Sequence, residues 1–356
     1  MPPAPSSRSR PTSRAPTAPR PRTPTPTARR TPSPSRNPSR GSPPRRHPPS
    51  RPPSPRSVVA HRSRAGTRSC SAAARATEAV RLVRLNVHPL KSAAIRPVEA
   101  AHVLARGLAD DRSWMLVGPD SRLVSAREVP ALMRVVADTP TTDPTVSSAL
   151  RLRAAGHADL DVSLPEGREM PVHLFSLDLP ATPAGPGADA WLRDVLGVDV
   201  RLVWCHDPTR RRLQPGFSSP GDHTAFADSF PVTVASLASL RRLHDWMLER
   251  AMEGGEEPPE PLPIERFRAN LVVDGDEPFA EDHWGEIRVG EVRFRLAKPV
   301  GRCVMATLDP ATLRTAKEPT RTLARHRLVD GKTLFAAHLV PLTEGRIRVG
   351  DEVTAG

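Results

Sequence analysis

The sequence predicts a mainly β protein with some α, of the α+β class, built as two barrel-like β units in succession. Three observations predict it. Short runs of alternating apolar residues, separated by turn residues, fill most of residues 79–354. Only two stretches, 188–196 and 237–252, repeat their apolar residues at helical spacing. A polar, turn-rich stretch at 206–225 separates two β-rich halves, which places the units at 79–205 and 215–354.

Ahead of both units lies a different kind of sequence. The first 77 residues hold 17 Arg, no Lys, no Asp or Glu, and 19 of the chain's 43 Pro. Such a segment has too little apolar surface to offset the entropy of ordering it, so residues 1–78 are expected to be a disordered tail. The whole chain carries 52 basic and 39 acidic residues, a net charge of +13. Without the tail's arginines, 35 basic residues face 39 acidic ones, a net of −4. The basic character therefore belongs to the tail and does not predict a nucleic-acid surface on the folded part. Three readings of the tail stand side by side: an organelle transit peptide, a nucleic-acid-binding arm, and an extension without a function of its own. Transit peptides are amphipathic, and this stretch has no apolar face before Val58, which favours the extension.

No run approaches 18 apolar residues, so no membrane span is expected. Cys70, Cys205 and Cys303 make neither a disulfide framework nor a zinc-ligand spacing, which points to a reducing compartment. The expected location is cytoplasmic, or an organelle if the tail is a transit peptide.

Taken in order, Val83, Leu85 and Val87 alternate as a strand that His88-Pro89-Leu90-Lys91-Ser92 breaks. A strand at 98–104 runs into the turn 106–112. Strands at 114–117 and 123–126 form a hairpin closed by Gly118-Pro119-Asp120. Strands follow at 150–154, 160–164 and 172–175, then the helix at 188–196, closed by Gly197, and a strand at 200–204. In the second unit, a strand at 230–235 enters a helix with Ser236 as N-cap and Leu237, Leu240, Leu243 and Met247 on one face. Further strands are predicted at 270–273, 286–289, 292–296, 304–308, 334–340 and 346–349.

The chemistry concentrates at residues 292–309. The strand alternation ends at Lys298-Pro299, and Gly301-Arg302-Cys303 follows as a turn. A guanidinium beside Cys303 favours its thiolate, the form that attacks carbonyls or binds soft metals. A small buried core residue is the competing reading. Lys91-Ser92, Asp111-Arg112 and the stretch 266–270 also lie at strand ends. They offer donors for an anionic or heterocyclic ligand, or are ordinary surface charges. No Gly-x-Gly-x-x-Gly, Walker loop, Gly-x-Ser-x-Gly or His-Glu-x-x-His occurs.

The order and wording of these pieces carry a family resemblance. His88-Pro-Leu-Lys-Ser92, the stretch 107–117 and Ser125-Ala-Arg-Glu-Val-Pro130 resemble the N-terminal β-barrel domain of MOSC proteins. Phe226-Ala-Asp-Ser-Phe-Pro231, Ser236-Leu-Ala-Ser-Leu240, the stretches 266–275 and 279–284, Gly301-Arg-Cys303, and the stretches 318–327 and 347–353 resemble the MOSC β-barrel itself. MOSC is the molybdenum cofactor sulfurase C-terminal domain, and the class most similar is that of the amidoxime-reducing components and their bacterial relatives.

The resemblance implies a molybdenum cofactor, Mo-molybdopterin, whose metal takes one protein thiolate, at Cys303. It implies that Lys91, Ser92 and Arg112 hold the cofactor's phosphate, and that Ser236, Arg268, Asn270 and Arg302 bind pterin or phosphate. His338 falls where the family has a Phe-Gly-Gln motif, with Ala336-Ala337 in place of Gly-Gln, and Gly301 replaces a small residue or Cys two positions before the thiolate. The family's iron–sulfur domain has no counterpart before Gly356, so electrons are expected from a separate ferredoxin- or cytochrome-like protein. Pyridoxal phosphate is associated with the family only through its sulfurases and receives no site here. The implied activity is reduction of small N-hydroxylated substrates. The alternatives are a non-enzymatic carrier of cofactor or sulfur on Cys303, and nucleic-acid binding through the tail. Neither a membrane nor a nucleic acid is expected as a partner.

Deleting residues 1–78 should leave the melting temperature of the remainder unchanged, because the tail has too few apolar residues to pack. A large drop on truncation would place the start of the folded part earlier.

Overall fold

The computed structural model describes residues 79–356; the expected disordered tail, residues 1–78, and Cys70 lie outside the described residues. The regular structure of the described residues is mostly strand, with three α-helices: α1 (Pro186–Leu196), α2 (Leu237–Gly254) and α3 (Thr320–His326). This is the mainly β, α+β class that the alternation predicts.

The largest sheet has nine strands. Its centre runs Leu82–Val87, Leu271–Val273, Val232–Ser236, Lys332–Pro341, Val292–Gly301, Glu286–Val289. Val232–Ser236 and Leu271–Val273 pair in parallel, which needs a crossover, and α2 supplies it. A five-stranded sheet runs Met170–Leu174, Leu177–Pro183, Arg201–Trp204, Trp114–Val117, Leu123–Val124. Leu82–Val87 opens the described chain yet belongs to the large sheet, with Leu85 opposite Leu271. Hence the turn that starts at His88 leaves directly from that sheet.

The alternating residues explain where the cores sit. Leu82, Leu85, Val232, Val234, Phe294 and Leu339 fill one face of the large sheet. On the other face, α2 buries Leu240, Leu243 and Met247 against Phe267 and Phe335. Each such side chain contributes about 1.5–3 kcal/mol by leaving water. Ser236 caps α2: its Oγ accepts the Ala238 N–H at 3.1 Å. α1 packs Leu192 and Leu196 on Trp114, Leu116 and Leu202 of the five-stranded sheet.

Four local expectations change. The strand from Val292 does not stop at Lys298-Pro299 but runs to Gly301. Register irregularities flank Lys298 and Pro299, so the ladder tolerates a proline that has no N–H to give. Residues 304–308, expected as a strand, instead form a 3₁₀ turn, Val304–Thr307. A short apolar run does not distinguish the two by period. The α3 helix and the Leu177–Pro183 strand are additions. Two prolines hide the latter; Pro180 sits opposite Pro171.

Gly107 fixes how closely two loops approach. Its φ is +108°, and a Cβ there would stand 2.8 Å from the Pro231 carbonyl oxygen. Gly107→Ala should therefore cost more than about 1 kcal/mol in urea denaturation, from backbone strain and the clash together. Gly156→Ala is the control, with φ +81° and nothing within 4 Å. Equal losses at the two positions would mean that the approach to Pro231 imposes no constraint of its own.

Candidate functional site

The turns after Leu82–Val87 and before Leu271–Val273, with the end of Val292–Gly301, converge on a cavity of about 320 Å³. Six cations line it, Lys91, Arg112, Arg127, Arg266, Arg268 and Arg302, against a single carboxylate, Asp228. Clustered cations with a single lining carboxylate favour an anion in the cavity.

The cations are held from behind. Arg112 donates to both Asp111 and the Asn270 Oδ1, the latter at 3.2 Å, and to the Arg268 carbonyl at 3.3 Å. Arg268 donates to the Ala93 carbonyl at 2.8 Å. Arg302 donates to the carbonyls of Phe335 (2.8 Å) and Phe267 (2.9 Å), while its Nη2 is buried with no partner. Arg266 is tied to Asp309 at 2.8 Å by Nη2, and its Nε and Nη1 are also buried without partners. Ser92, Arg112 and Arg268 adopt φ of +68°, +50° and +48°, left-handed conformations costing about 1–3 kcal/mol each that persist only where the surroundings enforce them.

Burial shifts the titrations. It lowers Arg268 and Arg302 to about 10. It lowers Lys91 to about 8, with Asp228 opposing. Lys91 Nζ donates to the Phe226 carbonyl at 2.7 Å and is ion-paired with Asp228. Burial disfavours ionised Asp228, but Lys91, Arg112 and Arg127 override it and hold the carboxyl well below the usual range. His338 is lowered to about 3 by burial and then by Arg302 and Lys298, so its imidazole is neutral at pH 7.

Cys303 lies just past the end of Val292–Gly301, and it is exposed. That removes the buried-core reading of this thiol. The guanidinium on its sulfur is not that of Arg302, which points to backbone carbonyls, but that of Arg127, whose Nη2 stands 3.4 Å from Sγ. Cys205, by contrast, is buried, and desolvation pushes its thiol up to about 11. Among the described residues no three His, Cys, Asp or Glu converge as a metal cluster.

Of the residues singled out in the sequence, Lys91, Ser92, Arg112, Arg268, Arg302, Cys303 and His338 line the cavity. Ser236 does not: its hydroxyl caps α2. Asn270 lies behind the lining, donating to Asp111 Oδ1 at 3.0 Å and to the Asn86 carbonyl at 3.1 Å. Arg266, which also lines the cavity, belongs to the 266–270 stretch of candidate donors, whereas Arg127, Phe175 and Asp228 are lining residues that carry no sequence-level assignment. Arg127 and Asp228 lie inside two of the stretches that carry the family resemblance, which was the available signal.

Two family models match the chain: the MOSC N-terminal beta barrel domain over residues 79–199 and the MOSC domain over residues 221–354. Mitochondrial amidoxime-reducing component 1 of Homo sapiens is 29% identical over 292 residues, 76% of this chain and 82% of that protein. The protein of the same description from Danio rerio is 30% identical over 297 residues, 76% of this chain and 83% of its own length. Among solved structures, the YUAD protein from Bacillus subtilis aligns over 77% of this chain and 93% of its own, at 12% identity and a TM-score of 0.34, too loose to carry an argument.

The lowered pKa of Lys91 gives the cavity a testable pH dependence. At pH 7 the amine keeps its proton; as pH rises through about 8 it loses it, and the cavity loses one positive charge. Affinity for inorganic phosphate, measured calorimetrically on protein without bound ligand, should fall between pH 7 and 9. Phosphate itself only gains negative charge over that range, which acts the opposite way. Lys91→Met should bind phosphate more weakly at pH 7 and show no such fall. An undiminished wild-type affinity at pH 9 would exclude Lys91 from the anion seat.

Proposed function

The chain belongs to the MOSC family, and on that premise we propose that it is a molybdenum cofactor-dependent oxidoreductase that reduces small N-hydroxylated compounds of the amidoxime type. One observation carries the reading: an exposed thiol, Cys303, opens onto a cavity with six cations, one carboxylate and buried guanidinium nitrogens without partners. A soft metal needs the sulfur, and a phosphate-bearing ligand needs the cations. The residues present therefore fit the cofactor.

In this reading Lys91, Ser92, Arg112 and Arg268 hold the phosphate, and Arg302, with its free Nη2, contacts the phosphate or the pterin. Cys303 is the protein's ligand to the metal. When bound, the cofactor supplies a two-electron centre able to take oxygen from a substrate nitrogen. Reduction of N–OH to N–H with release of water consumes two electrons and two protons. The electrons are assigned to a separate redox protein. Among the chain's own groups, His338 is neutral at pH 7, and its Nδ1 lies 3.4 Å from Thr233 Oγ1. Asp228 pairs with Lys91 and stands 3.6 Å from Arg127, so it holds the Arg127 guanidinium beside Cys303 Sγ. No helix among the described residues is long and apolar enough to cross a membrane.

Cys303→Ser should fold with an unchanged melting temperature, because the side chain is exposed and serine is nearly isosteric. It should retain detectable pterin through the cation seat and lose N-hydroxy reduction, since a hydroxyl is a poor partner for a soft metal. Turnover of benzamidoxime at the wild-type rate by this variant, with a competent electron donor, would refute the role of Cys303. A wild-type protein that carries cofactor yet reduces no N-hydroxylated compound would support the carrier reading instead.

A further inference from the structure

The hairpin Met170–Leu174 and Leu177–Pro183 places an aromatic ring where its own fold does not need one. Leu174 pairs with Leu177, which leaves Phe175 and Ser176 as a two-residue loop. Phe175 adopts φ +57°, a conformation suited to Gly or Asn and unfavourable for a bulky side chain. Its ring joins no core cluster and is 44% exposed. Instead it lines the cavity, with Arg127 5.2 Å and Lys91 5.5 Å from the ring centroid. Arg127 in turn reaches Cys303 Sγ at 3.4 Å, so one guanidinium separates the ring from the sulfur. The loop is not loosely hung, because the His173 N–H donates to the Ser121 carbonyl at 2.8 Å.

A strained backbone that serves no packing is a reason to look for a ligand. We infer that Phe175 is a specificity-determining residue, an aromatic shelf that holds the flat aryl face of a substrate over the Cys303 end of the cavity. The cations beside the ring fix its orientation, and its exposed surface remains for a second ring. Leu123 and Met305, which also line the cavity, extend the apolar surface. The substrate class this predicts is a planar aryl group bearing the N-hydroxy function, taken in preference to a small aliphatic one. The substrate class rests on the reduction reading; the shelf itself does not.

The test compares benzamidoxime with acetamidoxime on the cofactor-loaded protein. Phe175→Asn removes the ring and suits the positive φ, so its melting temperature should equal or exceed that of the wild type. Its KM for benzamidoxime should rise about three- to tenfold, the range expected for one lost aromatic pair, with kcat and the acetamidoxime KM within about twofold. Phe175→Tyr should restore the wild-type KM, and Phe175→Leu should not. Calorimetric binding of benzamidoxime to the oxidised protein without reductant should weaken in the same proportion. Equal losses for the two compounds, an unchanged benzamidoxime KM, or a lowered melting temperature in Phe175→Asn would each overturn the inference. If the wild type reduces neither compound, the reduction reading fails. Calorimetry then decides the shelf alone: weaker benzamidoxime binding by Phe175→Asn sustains it, and equal binding ends it.

Discussion

The buried carboxylate of Asp111 is the interaction on which the rest of the site depends. Its Oδ1 accepts the His88 N–H at 2.8 Å and the Asn270 Nδ2 at 3.0 Å, and its other oxygen pairs with Arg112. Burial alone would push this carboxyl up, but Arg112 and His88 hold it ionised. One ion therefore ties the turn after the first strand to the residue that opens Leu271–Val273. Removing one member of such a buried set leaves an uncompensated charge, at a cost of about 3–5 kcal/mol. Arg112 and Arg268 both adopt left-handed backbones, and the Arg112 guanidinium donates to the Arg268 carbonyl. Each residue turns back on itself so that its side chain enters the cavity while its backbone serves the network.

This arrangement separates what a guanidinium is fixed by from what it faces. Arg268 and Arg302 are held mainly by backbone carbonyls, which orient them without neutralising them. A carbonyl satisfies a donor but leaves the net charge in place. These cations therefore keep their field directed into the cavity, and their lowered pKa values register first the desolvation that comes with burial.

Much of this was legible in the sequence because it is local. Alternating valines and leucines mark the strands, and polar residues that interrupt them mark the turns that reach the cavity. Lys91, Arg112, Arg268 and Cys303 all lie at such interruptions. Arg127 and Asp228 were not legible as site residues. Each is one charged side chain in an irregular loop, and only the tertiary fold brings both beside Cys303. Ser236 shows the opposite difficulty. A serine before a helix serves as a cap and resembles a ligand donor, and its Oγ accepts the helix N–H. The strand containing Pro180 and Pro183 was hidden because proline argues against a strand wherever its neighbours are unknown.

The charges themselves argue for the kind of ligand that completes the site. Asp111 offsets Arg112, and Asp309 offsets Arg266. Asp228 lies between Lys91 and Arg127 and offsets only one of them. Arg268, Arg302 and the remaining member of that pair have no carboxylate of their own among the described residues. About three positive charges thus await a partner. A phosphate dianion would supply two negative charges. A metal alone would leave the arginines without a counter-charge. A ligand carrying a phosphate and a thiophilic metal, as proposed above, would suit both ends of the cavity, with Asp228 between Lys91 and Arg127.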